Sequence, residues 1–184
     1  SVFVAFLARM CATEDVSVGT YVGGRADNAL DDVVGMFVNT VVLRTRLRRT
    51  ARFADLVDTV RDNDLAAFTH ADIPFDQVVE AVNPPRSSSH TPLFQVSLEV
   101  QATSDLHLEL PGADVELLDP GAVSALFDLH LSLSENYSSD GDPDGIDAAF
   151  TYATDIFDEN TIAAWAQRFT SLISDALAEP STRL

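Results

Sequence analysis

At Pro92 the apolar residues change period, from the spacing of a helix to the alternation of a strand, and few layouts accommodate that switch. Upstream, residues 2–12 read as a buried helix. Phe53, Leu56, Val57, Val60, Leu65 and Phe68 recur at helical spacing and predict an amphipathic helix over 51–69. Pro74 opens another, where its fixed φ and missing N–H do least harm, with Phe75, Val78, Val79 and Val82 on one face. The proline- and serine-rich stretch 83–91 ends it. Two β-branched runs, 16–23 and 37–47, interrupt these helices as strands. Downstream, 93–101, 106–110, 115–118, 127–137 and 146–154 read as strands. Phe127, Leu129, Leu131 and Leu133 should point one way, and Asp128, His130, Ser132 and Ser134 the other. Asp158 and Thr161 are placed to cap a closing helix that runs to about Ala178. The expected fold is α+β, with helices packed on one face of a mixed or antiparallel sheet.

Composition narrows the function classes. A net charge of −18 argues against general attraction to nucleic acid or to anionic membrane surfaces. No apolar run approaches the roughly 20 residues that span a bilayer, and the first residues carry no signal-like leader, so a cytoplasmic location is expected. Lacking an initiator Met and opening directly in helical periodicity, the chain reads as beginning inside a domain. Its single cysteine, Cys11, excludes an intrachain disulfide and reads as a buried, inert thiol within an apolar helical run.

Four segments then stand in order along the chain. They are V-S-V-G-T-Y-V-G-G-R at 16–25, G-M-F-V-N-T-V-V-L-R at 35–44, H-A-D-I-P-F-D-Q-V-V-E at 70–80 and R-S-S-S-H-T-P-L-F-Q at 86–95. In content, order and approximate spacing they resemble the condensation domains of nonribosomal peptide synthetases. The resemblance implies a chloramphenicol acetyltransferase-like lobe. Residues 1–184 would be the C-terminal lobe of such a domain, without the N-terminal lobe that carries the HHxxxDG motif. The implied reaction forms an amide bond between a carrier-bound acyl or peptidyl thioester and a carrier-bound aminoacyl thioester. No cofactor would be bound directly; substrates would ride on the phosphopantetheine of carrier proteins. Implied partners are the N-terminal lobe, peptidyl carrier proteins and a neighbouring adenylation domain, with no nucleic acid and no membrane. Tyr21 stands where proline is frequent in the family, a departure that would alter the turn before Arg25.

The residues themselves offer little independent chemistry. Asp140–Gly141 and Asp144–Gly145 are preceded, four residues earlier, by Asn136 and Asp140, so no HHxxxDG is present and no catalytic residue is expected here. His70, His90, His107 and His130 show no metal-ligand spacing with one another or with Cys11, and no metal is expected. His130 reads as a solvated or hydrogen-bonded histidine on the polar side of a strand. Arg25 follows a strand and two glycines, which can present it at a sheet end. By the resemblance it would pair with the motif aspartate across the lobes; otherwise it is a structural or surface arginine. Asn39, inside an apolar strand, needs buried partners: it either lines the substrate channel or ties two strands together. Gln95 carries the same two readings. Arg44, Arg46, Arg48, Arg49 and Arg52 form a basic cluster that either docks an acidic carrier protein or is a solvated strand edge. A second function class stays open, a lobe that docks partners without chemistry.

Overall fold

A computed structural model describes the chain except residues 26, 27, 31, 49, 103–111, 113, 114, 116–123, 139 and 184. The elements run α1 (Val2–Cys11), β1 (Asp15–Gly23), a 3-10 turn (Asn28–Leu30), β2 (Val38–Arg46), α2 (Phe53–Phe68), α3 (Phe75–Val82), β3 (Val96–Ala102), β4 (Leu129–Tyr137), β5 (Pro143–Tyr152) and α4 (Glu159–Ala178). The five strands form one mixed sheet in the order β2-β1-β3-β4-β5. The β1–β2 and β4–β5 pairs are antiparallel, whereas β1–β3 and β3–β4 are parallel. The expected strands at 106–110 and 115–118 lie, apart from Val115, outside the described residues.

Alternation in the strands sets the core. Val16 and Val18 of β1 and Leu129 and Leu131 of β4 are buried against Phe3, Phe6 and Leu7 of α1 and Ile162 and Phe169 of α4. Each such side chain contributes about 1.5–3 kcal/mol on burial. Phe169 is the hub, its ring in edge contact with Phe3, Phe6 and Phe150. Leu56 and Val60 carry α2 into the same layer through Ala5. The helices α1, α2 and α4 therefore cover one face of the sheet, as the α+β reading requires. Asp158 caps α4: its Oδ1 accepts from the Thr161 N–H at 2.8 Å and its Oδ2 from the Thr161 hydroxyl at 3.1 Å.

Three expectations need correction. Cys11 is exposed, because it ends α1 beside Ala12, whose left-handed backbone (φ 50) turns the chain away from the core. The strand expected from 93 begins only at Val96, because Leu93 adopts φ 70 and cannot join a ladder. Phe127 leaves the row of Leu129 and Leu131: β4 starts at Leu129, and the Phe127 ring packs instead on Phe94 and Tyr21.

Candidate functional site

The sheet's second face carries Ser17, Gly19 and Tyr21 from β1, Ser97, Glu99 and Gln101 from β3, and His130, Ser132 and Ser134 from β4. Because β1, β3 and β4 are mutually parallel, all three point their C-terminal ends toward the side where Arg25 stands. Arg25 follows the close approach of β1 and β2. The Gly24 N–H donates to the Phe37 carbonyl at 2.7 Å, and a Cβ on Gly24 would fall 2.2 Å from that oxygen. Only glycine permits this crossing. The Arg25 guanidinium then donates to the carbonyls of Leu30 and Val33 and lies 4.2 Å over the Phe37 ring. The side chain is exposed yet held from three directions, the arrangement that presents a planar donor fork in fixed orientation.

Asn39 lies two residues beyond that crossing, opposite Val22. Its Nδ2 donates to the carbonyls of Ala71 and Ile73 at 2.8 and 2.7 Å, and its Oδ1 accepts from the Phe75 N–H at 3.2 Å. The amide therefore fastens β2 to the turn that starts α3, a tie between a strand and a helix entry rather than between two strands. Gln95 is not brought to this end. Its Nε2 donates to Thr91 O at 2.9 Å in the loop before β3, and by parallel register it lies eight strand positions, about 26 Å, from Arg25.

The basic cluster is partly spent within the chain. Arg44 grips Asp15 with two nitrogens, at 2.8 and 2.6 Å, and Arg46 adds a contact at 3.2 Å. The Arg44 hydrogen bonds chiefly, and Arg46 secondarily, hold the Asp15 carboxyl down at about 2. At Arg52 the backbone N–H donates to Asp55 Oδ2 at the start of α2. Arg49 and His107 lie outside the described residues. Exposed His70 sits in the α2–α3 connection, and His90 in the loop before β3.

One grouping was not anticipated. His130 Nδ1 is 2.7 Å from the Ser97 hydroxyl, and its Nε2 faces Glu99 Oε2 at 3.6 Å. Ser97 is 1% exposed. Gln101 Nε2 donates to the other Glu99 oxygen at 2.9 Å. The Tyr21 phenol is pushed up, first by burial and then by the Glu99 carboxylate. The sequence signal was alternation alone: it placed His130 on the polar face but could not say which residue of β3 stood opposite. Among the described residues, no three His, Cys, Asp or Glu side chains gather as they would around a metal ion. None of the described helices is long and apolar enough to cross a membrane.

The family model of the Condensation domain matches residues 1–184, the whole chain. The chain belongs to the condensation-domain family. A dimodular nonribosomal peptide synthase of Bacillus subtilis (strain 168) is 41% identical over 180 residues, covering 98% of this chain and 8% of that protein. The X-domain from teicoplanin biosynthesis superposes with a TM-score of 0.90 at 31% identity, covering 99% of this chain and 42% of that one. In its complex with OxyB the figures are 0.88 and 29%, over 99% and 40%. This condensation-domain chain thus spans less than half the length of each of these relatives.

Proposed function

We propose that the chain is the C-terminal lobe of a condensation domain that joins a donor acyl or peptidyl thioester to the amine of an acceptor aminoacyl thioester in nonribosomal peptide synthesis. Both substrates ride on phosphopantetheine arms of peptidyl carrier proteins, and an adenylation domain that loads the acceptor is a neighbour. The amine nitrogen attacks the thioester carbonyl, the C–N bond forms, the C–S bond breaks, and the amine proton ends on the departing thiol. The histidine that handles that proton belongs to the HHxxxDG motif of the N-terminal lobe, which completes the domain.

The observation that carries this reading is Arg25. It ends the first family segment, and Leu30, Val33 and Phe37 hold its guanidinium in one orientation at the β1–β2 crossing. A guanidinium so fixed can grip the motif aspartate across the lobes and orient the catalytic loop without itself touching substrate. The test uses the complete two-lobed domain with donor- and acceptor-loaded carrier proteins, following the amide product by mass spectrometry. Arg25→Ala should cut turnover by about 10²-fold, the effect of a small misplacement of reacting groups, while cooperative thermal unfolding is retained. A complete domain that forms no amide sinks the reading.

A second reading, a lobe that docks a partner without chemistry, is favoured by one observation, the likeness to the X-domain that forms a complex with OxyB. Under it the complete domain binds a partner protein and yields no amide.

A further inference from the structure

The end of the sheet away from Arg25 carries a feature that the condensation reading leaves unused. β1 runs from Asp15 to Gly23, so its start lies about 26 Å from the turn that presents Arg25. Beside that start two cavities meet at Leu47 and Arg48. The first, of about 220 Å³, opens between Ala5, Ala8 and Arg9 of α1 and the Leu47–Arg48 pair. The second, of about 710 Å³, continues past Thr50 and Ala51 to Leu56 of α2, with Arg46 on its wall. Together they form one trench along the α1 and α2 side of the sheet.

The trench has an apolar floor and a basic rim. Ala5 and Leu56 are buried and Leu47 is half-buried, whereas Arg9, Arg46 and Arg48 are exposed. Arg46 gives Asp15 a single contact at 3.2 Å, because Arg44 already holds that carboxylate with two nitrogens. Arg9 and Arg48 have no hydrogen bond or ion pair among the described residues. Glu14 and Asp55 are the carboxylates on the walls, and Asp55 is taken up by the Arg52 N–H at 3.1 Å. Three guanidiniums are thus left together in a chain of net charge −18. An occupant that fits brings apolar side chains for the floor and carboxylates for the rim.

The backbone after α4 says which occupant. Pro180–Arg183 run antiparallel to Arg52–Ala54: the Ala54 N–H donates to the Pro180 carbonyl at 2.9 Å and the Phe53 N–H to that of Thr182 at 3.0 Å, while Arg183 pairs with Arg52. A chain continued in that register past Leu184 runs alongside Thr50 and then Arg48, which are walls of the trench. We infer that the trench holds the polypeptide joining this lobe to the next domain, an extended acidic segment. Its apolar residues lie on Leu47 and its carboxylates pair with Arg46, Arg48 and Arg9. Extended peptides suit such recessed grooves, with main-chain pairing for affinity and alternate side chains for specificity. The inference rests on the condensation reading for one point, that an adenylation domain follows in the same polypeptide. Seated away from Arg25, the segment tethers that domain without competing for substrate.

The test uses the full synthetase chain, with its carrier proteins present. Exposed Thr50 is replaced by the photocrosslinker p-benzoylphenylalanine, and cross-linked peptides are identified by mass spectrometry. The cross-link should fall within about ten residues after Leu184, a span of about 33 Å when extended. Reversing the two unpaired charges, Arg9→Glu with Arg48→Glu, should cut that cross-link at least 10-fold. The same variant should speed protease cleavage within the segment at least 10-fold, and an unchanged unfolding temperature of the lobe certifies its fold. Arg48→Lys should keep most of the cross-link. Cross-links confined to a carrier protein, no cross-link to the segment, or cleavage indifferent to the charge reversal each overturn the tether. Amide formed alongside such a result leaves the condensation reading intact. The expected cross-link in a synthetase that forms no amide sinks that reading and leaves the tether standing.

Discussion

Gly19 and Phe94 occupy each other's space: a Cβ on Gly19 would lie 2.2 Å from Cε2 of the Phe94 ring. The ring is 2% exposed and is held on its other sides by Phe75 and Phe127, with centroids at 5.7 and 5.1 Å. It cannot swing aside. Gly19→Ala should therefore cost about 1–3 kcal/mol by overpacking, lowering the unfolding temperature by about 2–4 °C per kcal/mol in calorimetry. An unchanged midpoint would show that Phe94 is not locked.

Arg25 should not tolerate a charge-conserving change. Lysine keeps the positive charge but loses the planar fork that spans the Leu30 and Val33 carbonyls and stacks on Phe37. In the complete domain, Arg25→Lys should resemble Arg25→Ala in turnover, both within about 10-fold of each other and about 10²-fold below the parent. Recovery of most activity by lysine would reduce Arg25 to a point charge.

Asn39 is expected to matter for stability first. Asn39→Asp sets a carboxylate oxygen against the Ala71 and Ile73 carbonyls, which now accept at 2.8 and 2.7 Å. The lost bonds and lone-pair repulsion should destabilise the chain by about 1–3 kcal/mol, read by denaturant unfolding at pH 7. A stable variant with altered substrate preference would make Asn39 a channel residue instead.

Asp15 gives a pH signature. Its folded-state pKa is held at about 2 against an ordinary 3.8. A depressed carboxyl stabilises the fold fully above the unfolded value and loses that contribution as pH falls from near 4 toward 2. The groups are substantially exposed, with Arg44 56% and Asp15 39%, so the contribution at neutral pH should stay below about 1 kcal/mol. The stability gap between parent and Asp15→Asn should hold constant above pH 5, narrow as pH falls through 4 and close only below pH 2. A gap that does not narrow between pH 5 and pH 2 would mean the mutation acts by another route.

Local chemistry was legible in the sequence wherever a residue's neighbours in the chain decide its role. Asp158 caps the helix three residues before Thr161, Pro74 stands just before α3, and Leu129 and Leu131 alternate into the core. The four family segments carried the fold and the Arg25 turn. Hidden were contacts made by strand register, which alternation does not encode. Asp15 meets Arg44 and Arg46 only because β1 and β2 pair antiparallel in one register. Ser97 meets His130 because two strands 33 residues apart lie level. Phe127 escaped because a left-handed Leu93 turns Phe94 onto Gly19 and gives Phe127 an aromatic partner off the core face.

The parallel join of β1 to β3 has Gly19 opposite Ser97 as its one registered pair among the described residues, whereas its flanking ladders run the length of their strands. Such a seam is the spine of an open book: the β1–β2 leaf and the β3–β4–β5 leaf can flex against each other with little hydrogen-bond loss. Any strain that pries the sheet apart should therefore part it first between Gly19 and Ser97, leaving each page whole.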